Sequence, residues 1–180
     1  AELIKKGLKT KEIDLNGAGK KIPFMVLSEY FRWGKGLRWK REQRLIKGLK
    51  NTFLLILGAA GKKLKQDLIK EQEIILNLSS ILAEAYVAES VYLKVRKLAS
   101  SNQDIANLSI QEKIAQLYLY KSLNKVQNEA KEAIDSFASG FEKRILTYFV
   151  GKLLPPYLQN PKALSREITD HALIQKKYPF

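Results

Sequence analysis

The segment Glu71–Leu98 constrains the fold most, because it is helix-forming throughout and apolar over a wide arc. It runs 28 residues without Gly or Pro, which predicts an α-helix about 42 Å long at ~1.5 Å per residue. One stripe of apolar residues recurs at steps of three and four: Ile75, Leu78, Leu82, Ala85, Ala88, Tyr92 and Val95. Four more apolar residues widen the stripe: Ile74, Ile81, Val87 and Val91. A helix of this kind needs several neighbours, so we predict that it lies at the centre of a bundle.

The composition indicates a folded domain and excludes cysteine chemistry. The chain has 180 residues, 46% of them hydrophobic, which is enough to bury a sizeable core. It contains no cysteine, so it has no disulfides, thiolate catalysis or Cys-based metal sites, and it suits a reducing compartment. The longest purely apolar run, Phe53–Ala60, is far shorter than the ~20 residues of a membrane-spanning helix. We therefore expect no membrane span.

Positive charge is concentrated at the start of the chain. Residues 1–50 hold 14 Lys or Arg and 5 Asp or Glu, a net of +9, whereas residues 51–180 hold 18 and 13, a net of +5. Such a basic segment attracts polyanions. We predict a basic linker or arm over residues 1–41, followed by a helical domain over residues 42–180.

The predicted fold is all-α, an antiparallel bundle of three long helices at about 42–66, 70–100 and 109–139, with two shorter helices following. Short connections make neighbouring helices antiparallel. Three glycines are expected to weaken the first helix by about 1 kcal/mol each, namely Gly48, Gly58 and Gly61. A break is expected between Gln66 and Lys70, although no Gly or Pro marks it.

Local signals predict where the later helices begin and end. Ser109–Glu112 fits a capping box, which predicts that the third long helix begins there. Gly140 is expected to end that helix as a C′ glycine. A short helix should then cover Phe141–Leu154, and Asn160 followed by Pro161 should open the last one.

No residue pattern predicts a catalytic, cofactor-binding or metal site. His171 is the single histidine. Its neighbour Asp170 points elsewhere on a helix, so we interpret it as a surface histidine. A di-iron site in a bundle needs Glu-x-x-His pairs on two helices, which one histidine cannot supply. The acidic residues of the central helix are therefore expected to face solvent: Glu71, Glu73, Glu84 and Glu89. Gly17–Lys21 lacks the spacing of a phosphate loop.

One stretch has a composition that indicates binding to a partner, because aromatic and basic residues alternate in it. The candidate contact residues are Arg32, Trp33, Lys35, Arg38, Trp39, Lys40, Arg41 and Arg44. Tryptophan favours the headgroup layer of a membrane, and each Lys or Arg adds about 1 kcal/mol on an anionic leaflet. Nucleic-acid binding is the less favoured alternative, since stacking and phosphate contacts are available but no nucleic-acid motif is present. A solvated loop whose aromatic residues dock on the bundle also fits.

Three stretches carry a resemblance to a known family: residues 71–98, residues 121–144 (KSLNKVQNEAKEAIDSFASGFEKR) and the terminal KKYPF at 176–180. They resemble the C-terminal helical extension of very-long-chain-type acyl-CoA dehydrogenases. The resemblance covers roughly residues 42–180. The chain departs from the family pattern at Phe141–Leu154, which is more apolar and aromatic than expected there, and at Pro155-Pro156.

The resemblance implies an all-α domain that packs against the catalytic part of a flavoenzyme of fatty-acid oxidation. In that family the core supplies FAD, the acyl-CoA pocket and a catalytic glutamate, and the basic segment before the extension is associated with membrane docking. The core is missing from this chain, so we expect no catalytic residue, no bound FAD and no activity in the chain alone.

Two functional hypotheses stay open. The first is a non-catalytic domain of an acyl-CoA dehydrogenase that serves packing against an upstream core or partner subunit, oligomerisation or membrane contact. The second is a free-standing basic helical adaptor that binds anionic membrane or nucleic acid. Either suits a cytoplasmic location, with peripheral contact at the inner face of the membrane as a further hypothesis. The coding region just upstream would discriminate between them.

Overall fold

A computed structural model describes residues 39–101 and 105–176 as an all-α fold. Its elements are α1 (Lys40–Leu64), a 3-10 turn (Lys65–Ile69), α2 (Gln72–Ser100), α3 (Ile105–Phe137), α4 (Gly140–Leu153) and α5 (Pro161–Gln175). These described residues contain no strand. The prediction of three long helices and two shorter ones is therefore confirmed. The expected break between Gln66 and Lys70 is the 3-10 turn. KYPF at 177–180 and most of the basic arm lie outside the described residues.

The core is built where α1, α2 and α3 meet. One stripe of α2 is buried against the other two helices: Ile74, Leu78, Ile81, Ala85, Ala88, Tyr92 and Val95. Their spacing alternates between four and three residues, which keeps them on one side of a helix. Leu49 and Ile56 of α1 and Val126 and Ile134 of α3 are fully or almost fully buried in the same core. The paired side chains of α2 and α3 run in opposite order, Ser80 with Glu129 and Glu84 with Ser122, so the two helices are antiparallel.

Helix α2 has the neighbours α1 and α3, but they cover only part of its wide apolar arc. Leu82 and Val87, which the sequence pattern placed on or beside the buried stripe, are exposed. The physical reason is the placement of the last two helices. Helix α4 packs on α1 and α3, and α5 packs on α3, so neither covers the outward side of α2.

Helix α4 lies antiparallel along α1, at a separation that a glycine permits. Lys63 bonds Glu142 at one end, and Tyr157, just beyond α4, donates a hydrogen bond to Glu42 at the other. Between them, a Cβ added to Gly48 would lie 2.2 Å from the carbonyl oxygen of Leu153. The glycines expected to weaken α1 do not interrupt it, and Gly48 has a packing role instead.

The end of α4 and the proline-rich loop after it are held by contacts from two other helices. The Gln127 side chain of α3 donates to the carbonyl of Leu154 at 2.8 Å. The Arg41 guanidinium lies 4.8 Å from the ring centre of Tyr157, whose hydroxyl bonds Glu42 at 2.8 Å. Burial, with that bond to Glu42, raises the pKa of Tyr157 well above its usual range. The Pro155-Pro156 segment therefore belongs to the packed structure.

The cap predictions had different outcomes. Asn160 accepts a hydrogen bond from the amide of Ala163 at 3.1 Å and Pro161 follows it, which confirms the predicted start of α5. The predicted start of α3 at Ser109 is wrong, because α3 begins at Ile105 and Ser109 lies within it. Ser109 follows a turn that is itself helical, so its following amides already bond backbone carbonyls and need no cap. Helix α3 ends at Phe137, and Gly140, with φ of 56°, opens α4 in the left-handed conformation that favours glycine.

Candidate interaction surface on the outer face of α2

The outward side of α2 carries the largest group of exposed apolar side chains on one described helix. Leu76 is 68% exposed and Tyr86 is 70% exposed. Leu82, Val87 and Leu93 are also exposed and extend the surface along the helix. We call these five side chains the outer face of α2. Single exposed apolar residues are ordinary on a soluble protein, whereas a group on one helix marks an interaction surface.

The part of this surface from Leu76 to Val87 is almost free of charge. Glu84 is the only charged residue between Glu73 and Glu89, a distance of about 24 Å along a helix at ~1.5 Å per residue. Two outward serines offer little polarity, because the Ser79 hydroxyl bonds the carbonyl of Ile75 and the Ser90 hydroxyl that of Tyr86, at 2.8 and 2.9 Å. Water is therefore a poor partner for the outer face of α2.

Glu84 itself lies at the seam with α3, where it fixes how α2 is rotated. Its carboxylate accepts hydrogen bonds from the Ser122 hydroxyl at 2.6 Å, the Tyr118 hydroxyl at 2.9 Å and the Lys125 ammonium at 2.9 Å. One turn away, Ser80 donates to Glu129 at 3.1 Å. This polar seam occupies one flank of α2, so the side opposite the buried stripe must face outward. The expectation that Glu84 faces solvent is wrong, because its partners on α3 hold it at the seam.

The environment of Glu84 predicts a pH dependence. Partial burial acts to raise the pKa of the Glu84 carboxyl, but the hydrogen bonds from Ser122, Lys125 and Tyr118 outweigh it and hold the pKa below its usual range. A carboxyl whose pKa is lowered by folding stabilises the fold above its unfolded pKa, and this contribution is lost as the pH falls through the folded pKa.

Replacing Glu84 with Gln should therefore lower the free energy of unfolding by about 1–2 kcal/mol at neutral pH, the scale of hydrogen bonds to a charged acceptor. The measurement is urea unfolding of both proteins at neutral pH and at successively lower pH. The difference between them should shrink below the usual pKa of glutamate, ~4.3. A difference that stays constant down to the acid-unfolding limit would contradict the assigned role of Glu84.

The structure places the candidate residues of the basic–aromatic stretch in different settings. Arg32, Trp33, Lys35 and Arg38 lie outside the described residues. Trp39 is half-buried, with its ring edge against Tyr92 at 5.9 Å between centroids, and Arg41 stacks on Tyr157. Lys40 is half-buried and Arg41 and Arg44 are exposed. In the described part of the stretch, then, one aromatic ring and one guanidinium pack on the bundle, and the membrane-contact role stays a prediction.

Two further questions concern metal binding and membrane-spanning helices in the described residues. Among residues 39–101 and 105–176, no group of three His, Asp or Glu side chains is placed to hold a metal ion. His171 is half-buried on α5. By length and composition one described helix, α2, would suffice to cross a membrane. Helix α2 contains no long uninterrupted apolar run, because polar residues such as Ser79, Ser80 and Glu84 divide it. In the bundle, one side of that helix is core and the other is the outer face of α2.

The fold and this surface define a class of protein: a helical bundle domain in which the other described helices leave the outward side of one helix uncovered. The model of a family described as the acyl-CoA dehydrogenase C-terminal domain matches residues 48–152 of this chain. That is more than half of the chain, and the chain belongs to this family. The resemblance inferred from the three sequence blocks is confirmed.

Two known proteins illustrate the relationship. A probable acyl-CoA dehydrogenase of Bacillus subtilis (strain 168) is 24% identical over 139 residues, which cover 77% of this chain and 23% of that protein. The crystal structure of an acyl-CoA dehydrogenase complexed with FAD from Bacillus anthracis superposes with a TM-score of 0.85 at 21% identity, covering 98% of this chain and 30% of that one. This chain thus spans only about a quarter to a third of the relatives that it matches.

The outer face of α2 is the feature that sequence reasoning missed. The signal was present, since the apolar arc of the segment is too wide for one buried stripe. The wide arc was interpreted as evidence for several neighbouring helices, whereas part of it faces outward.

Proposed function

We propose that this chain is a non-catalytic helical domain of an acyl-CoA dehydrogenase, and that the outer face of α2 packs against the flavin-containing part of the enzyme. The observation that carries the proposal is the exposed apolar side of α2, which is almost free of charge from Leu76 to Val87. Because water solvates such a surface poorly, a partner that covers it gains the free energy of burying apolar area, about 25 cal/mol per Å².

The size of the surface suits contact between domains. Helix α2 has 29 residues, so its outward side is about 43 Å long and roughly 10 Å wide, which gives roughly 400 Å². Interfaces between domains of one chain bury about 600–1,500 Å² in total, or half of that on each side. The matched relatives are three to four times the length of this chain, and they supply a large partner within the same protein.

A charge placed on the outer face of α2 should weaken the binding of this chain to the flavin-containing part of the enzyme. Tyr86→Lys puts an ammonium at the middle of the proposed contact, where burial without a partner costs several kcal/mol. Leu158→Lys is the matched control, since Leu158 is 80% exposed in the loop between α4 and α5. Both variants should unfold within about 0.5 kcal/mol of the parent, because both sites are exposed.

The measurement is co-purification of the tagged chain with the flavin-containing part, encoded in frame or by a neighbouring gene. The parent and Leu158→Lys should bring down a yellow complex, and Tyr86→Lys should bind at least about 30-fold more weakly, equivalent to ~2 kcal/mol. The tagged chain alone should be colourless and should not oxidise acyl-CoA with an artificial electron acceptor. Equal recovery with all three proteins would refute the proposed contact, and flavin bound to the chain alone would refute the non-catalytic role.

Membrane contact by the basic–aromatic stretch, a cytoplasmic location, homo-oligomerisation and nucleic-acid binding all stay predictions. The free-standing adaptor also remains as an alternative. An in-frame flavoprotein region upstream of this chain would favour the dehydrogenase domain, and a start codon immediately before Ala1 would favour the adaptor.

A further inference from the structure

The outward side of α2 changes from apolar to positively charged towards the C-terminal end of the helix. Four exposed residues follow one another there at steps of four, four and three, which places them on one side of the helix: Tyr86, Ser90, Lys94 and Lys97. The two lysines therefore continue the line of the outer face of α2 and do not lie on its flanks. We call Lys94 and Lys97 the cationic end of α2.

The sequence around the cationic end of α2 is poor in acidic residues. Residues 90–103 contain three Lys or Arg and no Asp or Glu. The acid that precedes them, Glu89, is bound by Lys50 of α1. At the opposite end of the helix, the first residues on the outward side are Gln72 and Leu76, which carry no charge. The outward side of α2 thus combines a long apolar part with positive charge at one end only.

Arg96 separates a partner contact from an ordinary helix-end effect. The C-terminal end of any helix favours cations, because its last carbonyl groups carry partial negative charge. That attraction depends on the distance from the helix end and acts equally on Arg96 and Lys97. Arg96 is also exposed, but it lies seven residues after Glu89 and therefore on the flank of α2 that faces α1, where Glu89 pairs with Lys50. Only a partner on the outward side would distinguish Lys97 from Arg96.

We infer that the cationic end of α2 binds carboxylate groups of the flavin-containing part and thereby sets the direction in which that part docks along α2. The inference rests on the proposed function, which places the flavin-containing part against the outer face of α2. Protein interfaces combine an apolar centre with a polar rim, and complementary charges at the rim fix the register and disfavour wrong orientations. A partner docked in the reverse direction would bring its carboxylates to the uncharged end near Leu76 and would lose this attraction.

The test uses the enzyme that includes the flavin-containing part, with Ser90→Cys as a reporter thiol. This chain has no cysteine of its own, and Ser90 is exposed between Tyr86 and Lys94. Maleimide labelling is followed by the mass of the peptide that contains position 90, so thiols elsewhere in the enzyme do not count. Each rate is divided by the rate for the same variant of the isolated chain, which removes the effect of a changed nearby charge on the reactivity of the thiol.

Without a further change, position 90 should be labelled at least about tenfold more slowly in the enzyme than in the isolated chain. Lys97→Glu should speed labelling in the enzyme about tenfold at low salt, because a carboxylate would then face carboxylates of the partner. The increase should be much smaller at high salt, where exposed charges are screened. Arg96→Glu makes the same change of charge one position away and should stay within about twofold, as should Lys97→Arg, which keeps the positive charge.

The outcomes separate this inference from the proposed function. Equal labelling of position 90 in the enzyme and in the isolated chain would refute the proposed contact, and this inference with it. Slow labelling that Lys97→Glu leaves unchanged would overturn this inference alone, and so would equal increases for Lys97→Glu and Arg96→Glu. A raised KM for acyl-CoA in Lys97→Glu, with labelling unchanged, would overturn it in favour of a contact between Lys97 and a phosphate group of the substrate.

Discussion

Replacing Ile81 with alanine is expected to lower the free energy of unfolding by about 2–5 kcal/mol, the usual cost of truncating a fully buried isoleucine. The Ile81 side chain has no exposed surface, and it lies midway along the buried stripe of α2, against α1 and α3. The surrounding helices cannot collapse fully into the space that alanine would leave, so a cavity adds to the lost transfer free energy.

Leu82, the next residue, provides the control. It is 48% exposed on the outer face of α2, and Leu82→Ala should cost less than about 1 kcal/mol, since only part of that side chain is buried. Urea unfolding of both variants, followed by circular dichroism, gives the comparison. Similar losses for the two variants would mean that α2 is rotated or enclosed differently from the structure described above.

Replacing Gly48 with alanine is expected to destabilise the chain by about 2 kcal/mol, although alanine is the better helix former by roughly 1 kcal/mol. The added Cβ would lie 2.2 Å from the carbonyl oxygen of Leu153, which is backbone and cannot rotate away. Helix α1 and the end of α4 must therefore separate. The bonds from Gln127 to Leu154 and from Tyr157 to Glu42 resist that movement.

Gly151 is the matched control for Gly48, because it is exposed on α4 and a Cβ there meets no atom within 4 Å. Gly151→Ala should stabilise the chain by about 0.5–1 kcal/mol through helix propensity alone. Thermal unfolding should show opposite shifts, a fall of roughly 4–8 °C for Gly48→Ala and a smaller rise for Gly151→Ala. A stabilising Gly48→Ala would show that the two helices are not in close contact.

The sequence of the described residues was sufficient to predict the helices, because composition and breakers act locally. Helix α2 was expected at about 70–100 and lies at Gln72–Ser100. Local caps were less dependable. Asn160 was predictive since Pro161 excludes an earlier start for α5, whereas nothing in the residues before Ser109 prevents the helix from starting sooner. A capping motif specifies a start only where the preceding residues cannot be helical.

Which side of α2 is buried could not be read from the sequence. Ile81 and Leu82 are both large and aliphatic, and two overlapping apolar stripes pass through them. The buried side of α2 is determined by the polar seam with α3, in which Glu84 pairs with Ser122 and Lys125. These partners lie some 40 positions later in the chain. The role of Gly48 depends on Leu153 in the same way, since a glycine in a helix looks like a weakness until its neighbour is known.

The candidate surface on α2 was hidden for a related reason. An apolar helix is equally consistent with a fully enclosed core element and with one that has an outward docking side, and only the positions of α4 and α5 distinguish the two. For Trp39 the difference runs the other way. The composition of the basic–aromatic stretch suggested that Trp39 makes an outward contact, yet in the structure its ring packs on Tyr92.

Thiol labelling tests most directly whether the flavin-containing part covers the outer face of α2. The chain has no cysteine, so Tyr86→Cys and Leu158→Cys each introduce one reactive site. Both should react rapidly with a maleimide in the isolated chain. In the enzyme that includes the flavin-containing part, labelling at position 86 should slow by at least about tenfold, while labelling at position 158 stays within about twofold, because only the first thiol loses contact with solvent. Unchanged labelling at position 86 in that enzyme would contradict the account.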